Sequence, residues 1–483
     1  MIIYGCLDIH PVDFGIVPKL CHGLDRVLFN PGVHYLRDPR TNVYNYDPFL
    51  RNICQPEEFN FDTIPKFIPP SQDTNLHKAA AKYSSKFVSS TSSIAPSMSH
   101  FYFLISRLKP MNLSNRFTGE FEDEPQTFTQ MCRSPVGIHL RPHNLSDSGV
   151  TVRSLVTEKA LKEDEKPTVL MHLGNVLEKL LTHSKSDFES MLKGSLKPFE
   201  PKIEETYNYL HASNFLLRSQ LDCHDPRLPK KSFDLKTRAT LPIRMDVNNY
   251  RDYLTYRLHR PYGLYESFER EFFDLCRSAL LKYNFQVRIG DMDGIMIAYH
   301  NTAEIFGFQY LTRGEMDEIL YGNAATGDSV FKMIIKLYDH VLESIVNLYR
   351  NDEAIKLTFS LNKDASKLTI FSESEDESSN GEKSFNQFAL SVSNFINGFR
   401  SDDITLDPSG MDDWRIDSTL QQVKPNLAEY ESARKKVTEV KSRIDDGSDS
   451  GRVSVPIMRN ARRMYPTKSI EEGPEILAPW TLL

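Results

Sequence analysis

The sequence predicts a mixed α/β protein built around a central sheet. Three observations predict it. Through the middle of the chain, segments with apolar residues at helical spacing alternate with short apolar runs, in the order helix, strand, strand, helix, strand, strand. Proline and Asn/Asp dipeptides punctuate these segments where turns are needed. Hydrophobic residues make up 40% of the 483 and charged residues 25%, so a sizeable core can form. At this length roughly two to four structural units are expected.

The chain up to about Asn60, with LFNPGVHYLRDPRTNVYNYDPFL at its centre, reads as ordered but irregular, with short elements. Ser84 to Ser99 reads as a serine-rich loop, and Thr118 to Arg133 as another polar stretch. FYFLIS, Phe101 to Ser106, is apolar but far below the roughly 18 residues needed to span a bilayer. A helix is expected from near Pro167, where Leu170, Leu173, Leu177 and Leu181 recur at helical spacing, and a second over Asp187 to Leu196. NFLLRSQLDC, ending at Cys223, and SFDLKTRATLPIR, starting at Ser232, read as two strands of a hairpin, with Pro226 and Pro229 in the connection. Gly263 to Gln286 reads as one long amphipathic helix, with Leu264, Phe268, Phe272, Leu275, Ala279 and Tyr283 on one face. GIMIAYHN and IFGFQYL read as strands, and Val330 to Tyr349 as a helix. SESEDESSNGEK, Ser372 to Lys383, is an acidic low-complexity insertion expected to be disordered. From about Lys441 the chain has few core-forming residues and reads as a tail, with Trp480 available to pack back.

Composition excludes some classes. The net charge is -7, whereas a protein that coats nucleic acid non-specifically would be basic, so any nucleic-acid contact must rest on a local patch. The six cysteines are irregularly spaced and form no CxxC pair, which reads as reduced thiols and not a disulfide frame or zinc site. The opening MIIYGCLDIHP is neither a secretory signal nor an Arg/Ser-rich transit peptide, so the chain reads as cytosolic or as beginning after a leader.

One constellation carries chemistry. Asp234 and Lys236 are two apart in a predicted strand and therefore share a face. Asp222, on the neighbouring strand, reaches the same place if the register permits. Glu178 lies at the flank of the apolar stripe of the preceding helix, one turn after Gly174, which leaves room beside the carboxylate; Glu204 and Glu205 are rival helix acids. Gln286, ending the long helix, is a further candidate. Hard oxygen ligands such as these suit Mg²⁺ or Mn²⁺, and two or three acids suffice because such ions keep several waters. The metal set would be Asp222, Asp234 and Glu178, with Lys236 assisting an attacking water in phosphodiester hydrolysis. Lys230, Lys231, Arg238 and Arg244 are candidate phosphate contacts. Asp225, before Pro226, reads as a turn residue. His172, His211, His224 and His300 read as packed or surface histidines, and the pairs Tyr44/Tyr46 and Phe306/Phe308 as core aromatics that could otherwise stack on bases. The bland alternative for Asp234 and Lys236 is a cross-strand ion-pair set on a solvated face.

Helix Glu, strand Asp, turn, then strand Asp-x-Lys resembles the PD-(D/E)xK nuclease superfamily. The segments HGLDRVLFNPGVHYLRDPRTNVYNYDPFL, HLGNVLEKLLT, RSQLDCHDPRLPKKSFDLKTRA, KYNFQVRIGDMDGIMIAYHNT and AEIFGFQYL together resemble the fungal mitochondrial "Pet" family of RNA-processing proteins, over roughly His22 to Ile345. The resemblance implies a protein of the mitochondrial matrix or peripheral to the inner membrane. It implies a role in RNA five-prime-end processing and turnover, with RNA as partner and a link to the mitochondrial RNA polymerase. It places a nuclease-like core at 161–350, a family-specific N-terminal region at 1–160, a C-terminal addition at 351–430 carrying the insertion at 372–383, and a tail at 431–483. The expected activity is a Mg²⁺-dependent ribonuclease that trims five-prime ends. The alternative is a non-catalytic RNA-binding module that activates the polymerase.

Overall fold

The computed structural model describes residues 8–9, 14–113, 116–145, 150–158, 168–196, 205–376 and 384–445. Residues 377–383 of the acidic insertion, and the tail beyond 445 with Trp480, lie outside the described residues.

Up to Asn60 the chain forms short 3-10 turns at Leu24–Phe29 and Pro48–Arg51 and the brief strands β1 (Asp8–Ile9) and β2 (Val33–Tyr35), as its punctuation predicts. Helix α1 (Thr74–Lys82), strand β3 (Phe87–Ser90) and helix α2 (Thr91–Ser106) follow, and then the antiparallel pair β4 (Val136–Leu145) and β5 (Val150–Thr157). Next come helices α3 (Val169–Thr182) and α4 (Lys185–Ser190) and strands β6 (Tyr207–Ala212), β7 (Phe215–Gln220), β8 (Cys223–His224) and β9 (Ser232–Ala239). Helices α5 (Leu241–Met245), α6 (Phe268–Ser278) and α7 (Leu280–Ile289) lead to β10 (Gly294–His300) and β11 (Ile305–Thr312). Helices α8 (Arg313–Tyr321) and α9 (Ala324–Val346) precede the strands β12 (Ile355–Leu361), β13 (Leu368–Ser374), β14 (Phe385–Ile396), β15 (Phe399–Arg400) and β16 (Trp414–Val423). Helix α10 (Leu427–Asp445) ends the described chain.

The architecture is mixed α/β with two mixed sheets. The larger runs β1-β6-β7-β3-β5-β4-β12-β13-β14-β15, with β16 also paired to β14; the smaller runs β2-β11-β10-β9-β8. In the smaller sheet β9 and β10 are parallel, joined by a crossover through α6 and α7, while β10 and β11 form an antiparallel hairpin. One core packs α2, α6, α7 and α9 with the large sheet, and a second packs α3 against β9, β10 and β11 through Leu173, Leu177, Phe233, Leu235, Met296 and Phe308. Gly307 is required by close approach: a Cβ there would lie 2.5 Å from the His34 carbonyl, where β2 pairs with β11.

Six expectations are corrected. Residues 372–374 of the acidic insertion are not disordered but end strand β13, with Ser372 fully buried, and the strand expected from Ser232 through Arg244 stops at Ala239, where Pro242 opens helix α5. The serine-rich segment 84–99 is not a loop but strand β3 and the first half of α2. Most of its serines are buried, and two of those in the helix are satisfied there: Ser97 donates to the Ile94 carbonyl at 2.8 Å and Ser99 to Ala95 at 2.9 Å. The long helix predicted over Gly263–Gln286 starts only at Phe268, capped by Ser267, and breaks at Ala279, whose φ of -123° and ψ of -17° are not helical. The helix expected over Asp187–Leu196 is α4, which Ser184 caps and which stops at Ser190. The strand expected to run through Cys223 stops at Gln220. Its two ends belong to different sheets, so Leu221 and Asp222 cross between them. Among the described residues, no helix is long and apolar enough to cross a membrane, and the five described cysteines are free thiols.

Arg218 on β7 is 1% exposed. It pairs with Asp73, which also caps α1, donates to the Ile68 carbonyl and lies 4.5 Å from the Tyr207 ring centroid. Removing one partner of a buried pair leaves the other charge uncompensated, at a cost of about 3–5 kcal/mol. Arg218→Met should therefore lose about that much stability in urea denaturation, with part of it recovered when Asp73→Asn is added. An unchanged midpoint for the single variant would contradict a structural role for the pair.

Candidate functional site

Strand β9 alternates its faces. Phe233 and Leu235 enter the core beneath α3, and Asp234, Lys236 and Arg238 share the opposite face. Asp234 has no exposed surface. Its Oδ2 meets the Lys236 ammonium, and its Oδ1 accepts a hydrogen bond from Gln286 Nε2 at 2.9 Å. Lys236 Nζ also lies 5.0 Å from the ring centroid of Tyr283, which precedes Gln286 on α7. Burial works against the charge of Lys236, but Asp234, Asp222 and Tyr283 outweigh it and hold the ammonium charged.

Asp222 lies where the chain passes from one sheet to the other. Because β8 is only two residues long, it leaves the outer edge of β9 open beyond Phe233, and the Leu235 N–H donates to Asp222 Oδ2 at 3.0 Å. Burial, and then the Asp234 charge, push the Asp222 carboxyl up to about 7, with Lys236 opposing. Glu178 lies on α3 and pairs with its neighbour Lys179 at 2.7 Å. Burial raises its pKa, Lys179 opposes, and Asp222 adds to the rise. Gly174 does not serve Glu178. It faces β9, where a Cβ would lie 3.9 Å from Thr237 Oγ1, an ordinary contact.

Lys179 escaped the sequence, and Glu205, a rival helix acid there, lies not on a helix but just ahead of a strand. Glu205, just before β6, interacts with Glu178, Lys179 and Asp222; burial and then Glu178 push its carboxyl up to about 7. Its Oε2 is buried without a hydrogen-bond partner. Lys179 is the second ammonium; burial opposes its charge, and Glu178, Glu205 and Asp222 restore it. The structure thus gathers four carboxyl groups, Glu178, Glu205, Asp222 and Asp234, around two lysines. As the side chains stand, no three His, Cys, Asp or Glu among the described residues close on one metal-binding point.

The candidate phosphate contacts are placed less uniformly. Arg238 and Arg244 gather at the fully buried Glu271: Arg244 pairs with it and lies 3.3 Å from Asp274, and Arg238 Nε is 3.9 Å from its Oε2. Burial and the neighbouring Arg244 bring the Arg238 guanidinium down to about 10, and its Nε and Nη2 have no hydrogen-bond partner. Lys230 pairs with Asp291 at 3.0 Å, and Lys231 is exposed in the turn at φ 60°. Asp225 is a turn residue, accepting from Arg227 N at 2.9 Å. His300 is buried, held down to about 3 by burial and then Arg244, and its Nδ1 accepts from Thr302 N. His224 stacks on Phe14, its ring centroid 5.8 Å away.

Residues 67–343 match the family model for mitochondrial protein Pet127, a span that includes every residue of this site. The chain is 35% identical over 404 residues to the mitochondrial mRNA degradation protein pet127 of Schizosaccharomyces pombe, covering 80% of this chain and 75% of that protein. It is 36% identical over 348 residues to PET127 of Saccharomyces cerevisiae, a protein named for the mitochondrial translation system. That match covers 68% of this chain and 40% of the relative's length.

Crowded acids make the site pH-sensitive. Folding raises Asp222 and Glu205 from ordinary values of 3.8 and 4.5 to about 7, so the folded chain holds protons that the unfolded chain releases. The stability attached to them is full below the unfolded values and is lost as pH rises toward 7. The double variant Asp222→Asn/Glu205→Gln, free of divalent metal, should be more stable than wild type at pH 8 by on the order of 1–3 kcal/mol. The difference should vanish near pH 4. Denaturation at both pH values checks this, and a pH-independent difference would contradict it.

Proposed function

The chain belongs to the family of mitochondrial protein Pet127, and from that premise we propose that it is a metal-dependent ribonuclease acting in mitochondrial RNA processing and turnover. The mitochondrial setting follows from the family. The RNA role rests on the relatives' names, above all the S. pombe protein named for mRNA degradation. The chemistry rests on one observation: a buried Asp234–Lys236 pair on a strand, with Asp222 bonded to the backbone between them. The sequence of a helix acid, a crossing acid, an Asp-x-Lys strand, a helix glutamine and a parallel strand supports a core of the PD-(D/E)xK kind.

The donor chemistry fits Mg²⁺ or Mn²⁺. The donors are all oxygen, two of the carboxyl groups are forced toward neutrality by crowding, and Glu205 Oε2 is unpartnered. Asp222, Asp234 and Glu178 would hold the ion, with Glu205 beside them. When bound, it supplies Lewis-acid polarisation of a phosphate oxygen and of an attacking water.

The chain's own residues do the rest. Lys236 donates toward the water or the developing phosphate charge. Gln286 fixes the Asp234 carboxylate, and Tyr283 confines the ammonium. Arg238, two residues along the same face, is assigned a phosphate oxygen through its unused N–H donors, with Glu271 and Arg244 behind it. Trimming from the five-prime end belongs to the same reading.

The test uses single-stranded RNA labelled at either end, with Mg²⁺ or EDTA, on wild type, Asp234→Asn and Lys236→Gln, each checked for folding by thermal melting. Cleavage should need metal, fall about 10²–10³-fold in both variants and proceed from the five-prime end. RNA binding by wild type without cleavage in either metal would overturn the enzyme and leave a non-catalytic RNA-binding module.

A further inference from the structure

A polar cavity opens at the β2 edge of the smaller sheet. Its volume is about 350 Å³, within the range of small-ligand pockets. Arg37, Arg51, Arg257 and His259 line it together with Tyr44 and Phe306. These residues come from three separate parts of the chain, brought together because β2 pairs with β11 and the segment before α6 folds over the start of β11.

The cavity combines π surfaces with cations. The Arg37 guanidinium lies 5.4 Å from the Tyr44 ring centroid, and that of Arg257 lies 6.0 Å from Phe306. Of the aromatic pairs Tyr44/Tyr46 and Phe306/Phe308, the structure divides each. Tyr46 and Phe308 meet edge to face in the core at 5.6 Å, while Tyr44 and Phe306 face the cavity. The acids present do not neutralise the arginines. Glu304 is shared between Arg257 and Arg51, the latter at 3.6 Å. Asp38 turns into its own loop, accepting from Arg40 N at 2.8 Å and Thr41 N at 3.1 Å. Arg51 and Arg257 keep 38% and 50% of their side-chain surface exposed, and each guanidinium has five donors, more than one shared carboxylate can use.

A positive, aromatic cavity on a chain of net charge -7 is the kind of local patch that nucleic-acid contact requires. Stacking on aromatic and guanidinium planes, with cations alongside for phosphate, is how single strands are held without reading their sequence. We propose that this cavity is a nucleotide subsite, taking one base against Tyr44 and Arg37 and its phosphates on Arg51 and Arg257. It lies three strands from β9, about 14 Å across the sheet, and level with Ala239, about 17 Å along the strands from Asp234, a span that a few nucleotides of one RNA strand can cover. The proposal deepens the RNA reading of the acidic site and rests on it for the choice of RNA as ligand.

The experiment measures binding in EDTA, where no cleavage occurs, by anisotropy of a labelled single-stranded RNA across 50–200 mM salt. Arg51→Ala/Arg257→Ala should weaken binding about tenfold and flatten the log–log salt slope by about 1.4, near 0.7 for each phosphate no longer neutralised. Tyr44→Ala should weaken it about fivefold or more, and Tyr44→Phe, which keeps the ring, should restore most of it. Adenosine monophosphate serves as a second probe. Saturable binding that the double variant abolishes would assign the cavity to a free nucleotide, and loss for RNA alone would assign it to a strand. Unchanged affinity and salt slope in folded variants, with no binding of the nucleotide, would overturn the subsite. Because the readout is binding without metal, absence of cleavage would defeat the ribonuclease reading and leave the subsite untouched.

Discussion

Asp234 has no exposed surface, and a carboxylate so placed stays ionised only if a cation and N–H donors meet it. Both are supplied by backbone regularity. The two-residue period of β9 puts Lys236 on the same face, and the parallel pairing of β9 with β10 requires a crossover, whose second helix carries Gln286 to the other oxygen. The strand, the crossover and the helix break at Ala279 can thus be read as the geometry that keeps one buried charge balanced. The same face continues to Arg238, whose charge is compensated in turn by the buried Glu271.

Around that pair the charges do not balance. Asp222 enters because the chain changes sheets at this point and a two-residue strand leaves an N–H of β9 free to bind it. Glu205 enters because it lies just before β6, which pairs antiparallel with the β7 strand that leads to Asp222, and Glu178 comes from the helix that covers β9. Four carboxyl groups with two ammonium groups leave an excess of negative charge, and the elevated Asp222 and Glu205 are its physical signature. Such an arrangement costs stability at neutral pH, and structure alone gives no return for that cost. A divalent cation would relieve it, and that relief is the basis of the proposed metal site.

Legibility followed the range of the interactions. Asp234 and Lys236 could be paired from spacing alone, since strand alternation is local, and the helix at 169–182 and strands β10 and β11 carried their own apolar periodicity. Asp222 was found but misplaced in a strand, because nothing local marks where a chain leaves one sheet for another. The serine-rich segment failed because buried helix serines such as Ser97 and Ser99, whose hydroxyls bond back to carbonyls three and four residues earlier, give a helix a loop's composition. Lys179 gave no pattern of its own and Glu205 read only as a rival helix acid; the fold alone brings them to Glu178. The large sheet, which joins β4 to β12 across more than 200 residues, and the Arg37–Arg51–Arg257 cavity are long-range assemblies with no local signal. The basic residues singled out from sequence proved largely engaged, Lys230 with Asp291 and Arg244 with Glu271.

We propose that the acids at β9 form a place for a divalent cation. Calorimetric titration of Mn²⁺ at pH 6.5, in two buffers of different ionisation enthalpy, tests it most directly, with Asp222→Asn measured alongside. Binding should be saturable and should release protons, because ligands must be deprotonated and Asp222 and Glu205 hold protons at that pH. In the variant it should weaken at least about tenfold and release fewer protons. No saturable binding, or equal affinity and proton release in the variant, would contradict a cation site at these residues.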